Sequence, residues 1–235
     1  MKLLHTSDWH LGHSLYNFDR TAEQQAFLKQ LTEAVRTHRP DALLISGDVY
    51  HYSSPSASTQ RMYTDAILAI HDACPTMQII VTAGNHDSSS RLEIDSNLWK
   101  HFRVHVIGSI DRKDNQVLWE KHIIPLADES GKLTGYVIAV PHCYPQNFPA
   151  LHPDIPRDER QADFFHTLLE ETAKRNTTGV PVILMAHLAV AGSDITGHDD
   201  GIGGMDYLPI ETLGEGYDYL ALGHIHCPQT LRNTK

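Results

Sequence analysis

The chain has 235 residues, 41% of them hydrophobic, enough for one large α/β domain or a domain with a small appendage. Its formal charge of -10 argues against a surface basic throughout that holds nucleic acid by counterion release, although divalent cations in a pocket would reverse the local sign. No apolar run approaches the roughly 20 residues of a membrane span. The scattered Cys74, Cys143 and Cys227 form neither a disulfide framework nor a zinc ribbon. The start of the chain leaves no room for a signal peptide whose removal would spare Asp8. A cytoplasmic location without membrane attachment is expected.

The apolar run Lys2-Leu3-Leu4 predicts a short strand. Ala22, Phe27, Leu28, Leu31, Ala34 and Val35 share one face of a helix over 20–39, which stops before Pro40. Residues 42–45 read as a buried strand, followed by a helix over 55–73 with Met62, Tyr63, Ala66, Ile67 and Ile70 on one side. A third strand is expected at 78–81 and a third helix at 91–102, carrying Leu92, Leu98, Trp99 and Phe102. From about 104 to 141 the pattern changes to short β-rich pieces, 104–107, 123–126 and 136–140, with a turn at 129–132; this predicts a meander. A proline-rich irregular loop follows over 142–157, then a helix over 158–175 and two further buried strands at 182–185 and 219–222. The Gly- and Asp-rich stretch 189–205 reads as either a substrate-contacting flap or plain disorder.

Most of these strands run directly into a residue able to hold a metal ion. The segments are Asp8-Trp9-His10, Gly47-Asp48, Gly84-Asn85-His86-Asp87, Ala186-His187 and Gly223-His224-Ile225-His226. Parallel strands present their ligands at their carboxyl ends, so positions more than two hundred residues apart can meet. Carboxylate, amide and imidazole donors with no thiolate predict a centre for two divalent cations. Asp8, His10 and His226 would hold one ion, and Asn85, His187 and His224 the other. Asp48 would bridge them at the roughly 3.5–4 Å separation suited to in-line displacement at phosphorus. Metal binding lowers the pKa of water enough to supply a nucleophile near neutral pH. His86, next to a ligand, is the expected proton donor to a leaving alkoxide. The donor set favours Mn²⁺, is compatible with Fe, Co or Zn, and suits Mg²⁺ less.

Each motif alone is weak, since an Asp-x-His pair or a Gly-Asp is commonly loop or turn chemistry. Five together, most of them behind a buried strand, leave little weight for chance. Histidines outside them, such as His13, His38, His71, His122, His152 and His198, are read as structural.

These motifs resemble the calcineurin-like metallophosphoesterase superfamily, with one departure: Ala186 stands where glycine is usual. The resemblance covers essentially the whole chain. It implies an α/β fold, a double β-sandwich flanked by helices, as a single metallophosphoesterase nuclease domain over 1–235. The run His5-Thr6-Ser7-Asp8-Trp9-His10-Leu11-Gly12, and Gly47-Asp48-Val49-Tyr50-His51 followed by Ser54-Pro55-Ser56, resemble its DNA-repair exonuclease branch, of the bacterial SbcD type.

That branch implies a two-Mn²⁺ DNA exonuclease/endonuclease of double-strand break repair and recombination, partnered by an SMC-like ATPase (SbcC type). It implies that His51 contacts and rotates the DNA backbone while His86 acts on the leaving group. It also implies a homodimer through the helices at about 57–73 and 91–102, with Met62, Ile67, Leu98 or Trp99 as contacts; ordinary core is the equal alternative for these four. Capping and ATPase-binding segments would lie beyond 235. Arg20, Arg61 and Arg91 are the candidates for phosphate binding. Two other readings compete: a metallophosphoesterase for a small phosphodiester or phosphomonoester such as a cyclic nucleotide, and a metal-binding scaffold, which the intact ligand set disfavours.

Overall fold

The computed structural model describes residues 1–114, 116–196 and 207–231. In the first half, β1 (Leu3–Thr6), β2 (Ala42–Ser46), β3 (Gln78–Thr82) and β4 (Val104–Ile107) form a parallel sheet in the order β1-β2-β3-β4. In the second, β5 (Ile123–Ala127), β6 (Leu133–Val140), β7 (Val182–His187) and β8 (Tyr219–Gly223) form a sheet in the order β8-β7-β6-β5. Only β5 is antiparallel to its neighbour there.

The two sheets stack face to face. Between them lie Leu44, Ile80, Ile107, Ile124, Val137, Ile183 and Met185. The outer face of the first sheet, with Leu43, Ile45, Ile79 and Val81, packs under α1 (Thr21–His38) and α2 (Ala57–Ala73) through Leu31, Val35, Ile67 and Ile70. The outer face of the second, with Ile138, Leu184 and Ala186, packs under α3 (Arg160–Arg175) through Phe164, Phe165 and Leu168. A strand covered on both faces has no polar alternation, which is why β2, β3 and β7 are continuous apolar runs. The fold is thus the expected double sandwich flanked by helices.

Two expectations are corrected. The stretch 91–102 is broken into the turns Ser89–Leu92, Ser96–Trp99 and Lys100–Phe102 rather than one helix. The Glu93 carboxylate accepts from the backbone N–H of Gly108 (2.5 Å) and Ser109 (3.3 Å), and Asp95 leaves helical geometry at φ -105°, ψ 17°. The strand at 104–107 does not join a meander; it pairs in parallel with β3 as the fourth strand of the first sheet, while β5 pairs antiparallel with β6 and Arg112–Lys113 forms a small hairpin with Gln116–Val117. Of the four residues weighed as dimer contacts, Ile67 and Trp99 are buried in the core and Met62 packs against it, leaving Leu98 as the exposed one. Among the described residues no helix is long and apolar enough to cross a membrane.

Candidate metal centre

Strand register brings the motifs together. Thr6 pairs with Ile45, Ser46 with Thr82, and His187 with Gly223, so the segments after β1, β2, β3, β7 and β8 emerge at one end of the sandwich. The turns after them are tight. Asp8, His10, Asp48 and His224 hold φ of 55°, 44°, 51° and 88°, a region that side chains rarely occupy. Backbone bonds from Asp8 to Gly47 (3.0 Å), His10 to Asp48 (3.0 Å) and Leu11 to Val49 (2.9 Å) carry the pairing of β1 and β2 past their ends.

The glycines of the motifs have a steric reason. A β-carbon on Gly84 would overlap the Asp48 backbone and carboxylate, and one on Gly223 would overlap the Ser46 carbonyl. Gly47, at φ 86°, lies against His187 and Gly84. Ala186 is buried among apolar residues beneath α3, where a methyl group is accommodated.

The donors fall into two groups that share Asp48. In the first, His10 Nε2 lies 3.0 Å from His226 Nε2, and His226 Nε2 lies 3.6 Å from the Asp8 carboxylate. In the second, Asn85 Oδ1 lies 3.0 Å from His187 Nε2 and 3.1 Å from His224 Nδ1. Asp48 Oδ2 stands between them, 3.6 Å from His10 Nε2 and 3.5 Å from His187 Nε2. His187 Nδ1–H donates to the Ser46 carbonyl at 2.8 Å, which turns Nε2 toward this centre. His224 donates its backbone N–H to the Asp8 carboxylate at 3.1 Å, and Ser7 Oγ–H donates to the same group.

The electrostatics fit a cation. Asp48 and His187 are buried, and Asp8 is largely so. Burial would raise the Asp48 carboxyl, but the bond and charge of His187 and the N–H of His86 hold it well below the carboxylate range. Burial opposes the His187 imidazolium, yet the hydrogen bond and charge of Asp48 push its pKa up to about 9. His10 is lowered to about 4, chiefly by burial, so its ring is neutral. Without a metal the histidine N–H groups can donate to Asn85 Oδ1 and one ring of the His10–His226 pair to the other; when a cation takes the place of those protons, the same nitrogens and oxygens turn their lone pairs toward it. Asp8, His10 and His226, and Asp8, Asp48 and His187, each come close enough to share one ion.

His86 N–H donates to Asp48 Oδ1 at 2.9 Å, and its ring Nδ1–H donates to the His51 carbonyl at 2.8 Å. His51 stacks on His86 with centroids 5.3 Å apart, and its Nδ1 lies 3.3 Å from His10 Nδ1. Its pKa falls to about 4, first through burial and then through the neighbouring His13 and His86. The centre opens into a cleft of about 550 Å³ whose wall includes His13, Arg20, Glu23, Phe27, His51 and His86. Arg20 bonds Glu23 at 2.6 Å and approaches His13 at 3.4 Å. Arg61 and Arg91 are exposed on helical segments and do not line the cleft.

Three residues gain roles that the motifs did not assign. Asp87 accepts from the N–H groups of Val49 (3.1 Å), Tyr50 (2.9 Å) and Gly84 (2.9 Å), tying the turn after β3 to that after β2. His13, read as structural, is part of the cleft wall. His142, two residues past β6, donates its backbone N–H to the Ala83 carbonyl at 2.8 Å, beside the turn after β3; its buried Nε2 has no hydrogen-bond partner among the described residues. The rule of strand ends would have found His142, but no second motif residue marks it. The stretch 189–205, read as a flap or plain disorder, lies from 197 onward outside the described residues, and His198 lies with it.

A sandwich of this topology with two donor groups sharing a carboxylate defines a class of phosphoesterase. The family model described as Calcineurin-like phosphoesterase matches residues 1–228, and the chain belongs to that family. Within it the chain is 35% identical to the SbcD subunit of the nuclease SbcCD from Rhodobacter capsulatus, over 98% of its own length and 59% of the relative's. It is 29% identical to the protein of the same name in Escherichia coli K12 (98% and 57%) and in Bacillus subtilis (100% and 59%). The chain therefore spans somewhat more than half the length of these relatives. A solved dimetal phosphatase from Danio rerio is similar at a TM-score of 0.45 and 12% identity, over 80% of this chain and 69% of that one.

Proposed function

We propose that this chain, as one metallophosphoesterase domain over 1–235, hydrolyses DNA phosphodiester bonds as the nuclease component of an SbcCD-type complex. In this reading it acts in double-strand break repair as a homodimer with an SMC-like ATPase partner. The observation that carries the reading is the pairing of two donor groups around Asp48 with a cleft walled by His51 and His86. The names of the relatives support the choice of nucleic acid over other phosphoesters.

Asp8, His10, Asp48 and His226 would hold one cation, and Asp48, Asn85, His187 and His224 the other, Mn²⁺ in both positions. Bound there, two such ions supply Lewis acidity at the phosphoryl oxygens and bring the pKa of water toward neutrality.

The chain's own groups do the rest. His86, its Nδ1–H committed to the His51 carbonyl, presents Nε2 to protonate the departing alkoxide, a contribution of about 10²–10⁴. The hydrogen bond from His86 N–H to Asp48 fixes that ring relative to the centre. His51, held between His10, His13 and His86, orients the scissile strand, and Arg20 offers the guanidinium nearest the cleft for a flanking phosphate.

The test is Mn²⁺-dependent hydrolysis of a labelled DNA oligonucleotide beside bis-p-nitrophenyl phosphate, with His86→Ala as control. Cleavage of DNA by the wild type and a loss of about 10²–10⁴ in the variant are expected. The formal charge of -10 favours a small phosphodiester instead, and cleavage of the small diester alone would move the reading there.

A further inference from the structure

β1 and β8 are the edge strands of their own sheets, and their side chains His5 and Tyr219 meet across the sandwich. They share no ladder, and the filling between the sheets at this edge is apolar, from Leu3, Leu44 and Ala221. Apolar contact is non-directional, so by itself it does not fix how one sheet sits along the other. Both donor groups need that fixed, because each takes residues from both sheets.

Beyond the strand ends the His224 N–H holds the Asp8 carboxylate, and within the strands a polar chain crosses this edge. The Tyr219 hydroxyl meets His5 Nδ1 at 3.1 Å, and His5 Nε2 meets Ser46 Oγ at 3.0 Å. Ser46 Oγ–H donates to the Ala221 carbonyl at 3.3 Å. A carbonyl can only accept, so with Ser46's one proton given to Ala221, His5 Nε2–H donates to Ser46. His5 Nδ1 then accepts from Tyr219. Every hydrogen in the chain has one direction, and the two rings meet edge to face at 6.0 Å and 84°.

The fully buried Ser46 is where this chain reaches the centre. Its carbonyl accepts from His187 Nδ1 at 2.8 Å, it stands two residues before Asp48, and its carbonyl is the atom that a side chain on Gly223 would strike.

We infer that His5 and Tyr219 are positioning residues, which clamp the open edge of the sandwich through Ser46 and set the spacing between the Asp48–Asn85 half and the His187–His224 half of the centre. The inference rests on the metal-centre reading above. Groups that hold a ligand in place typically contribute about 10–100-fold in metal affinity. The half-exposed Tyr219 hydroxyl can be removed without opening a cavity, and a phenylalanine at position 5 keeps ring volume while deleting both nitrogens.

The test is titration of the metal-stripped protein with Mn²⁺ by calorimetry, with thermal unfolding of the metal-free forms alongside. Wild type, Tyr219→Phe, His5→Phe and His5→Gln are compared. The wild type takes up two ions. His5→Phe weakens both, and most strongly, about tenfold, the ion that takes His187, whose Nδ1–H rests on the Ser46 carbonyl; Tyr219→Phe does so less, and His5→Gln, whose amide N–H can still reach Ser46, recovers most of the loss. The metal-free midpoints stay within about 2 °C, the size of a small change in stability. Wild-type affinities in both phenylalanine variants would overturn the clamp, as would equal weakening of both ions in step with a falling midpoint, the mark of a fold element only. No uptake by the wild type itself would overturn the metal-centre reading, and the clamp with it.

Discussion

Asp8, His10, Asp48 and His224 all sit at positive φ, and each such conformation costs on the order of 1 kcal/mol or more. The cost is sustained because backbone bonds between the two turns and the Asp87 staple over-determine the backbone there. Glycines separate strain from overlap. Gly131 has φ 82° and open space around it, whereas Gly47 has φ 86° and lies against His187 and Gly84. Gly131→Ala is expected to cost about 1 kcal/mol and Gly47→Ala about 3 kcal/mol, read from urea unfolding; equal costs would refute the packing argument. Asp48→Asn keeps the shape and removes the shared charge. Hydrolysis of bis-p-nitrophenyl phosphate at saturating Mn²⁺ should fall at least about a hundredfold, and activity within tenfold of the wild type would exclude Asp48 from the centre.

The α2 helix starts where the Ser56 hydroxyl accepts from the Thr59 N–H at 3.1 Å. Ser56→Ala should cost about 1 kcal/mol in unfolding free energy without altering the centre. The broken stretch after β3 carries a different consequence. Its buried side chains, Leu92 and Trp99, are spent on the core, while Ile94 and Leu98 are 78% and 56% exposed. In the proposed homodimer these two cover each other across the two-fold axis. Ile94→Glu with Leu98→Glu is expected to shift a dimer to a monomer in light scattering; a dimer that survives the pair of charges uses another face.

At the scale of the molecule, its histidines set the response to pH. His10, His51 and His142 are lowered to about 4, and His105 and His122 also fall, in every case first through burial. The unfolded chain binds protons on these rings near 6.5 while the folded chain does not, so their contribution is present above 6.5 and lost as the pH falls toward 4. His187, raised to about 9, acts in the opposite sense: its contribution is complete below 6.5 and lost as the pH rises through about 9. The metal-free midpoint should therefore drop between pH 6.5 and 4 and sag again above about 8. A scan flat from 7 to 4.5 would mean that these rings are not desolvated in solution.

The buried strands and the polar segments that follow them were legible because both are local. A strand buried on both faces is an unbroken apolar run, and the residue that follows it is adjacent in sequence, so Leu43-Leu44-Ile45 and Gly47-Asp48 could be read without a partner. What lies across a sheet is not local. Nothing in 104–107 says that it pairs with β3 rather than with 123–127, since period and composition are the same in either sheet. Glu93 sits in a helical pattern and is drawn out of it by amides fifteen residues away. His13, Asp87 and His142 look like spare polar residues until the turns that surround them are in place. Sequence alone determined which donors exist and that strand ends would present them. Tertiary structure decided how closely the donors approach, which glycines the crowding there demands, and that His5, three residues before Asp8, reaches across to Tyr219. Distances of about 3 Å between groups two hundred residues apart are set by packing two sheets together, and no local pattern encodes them.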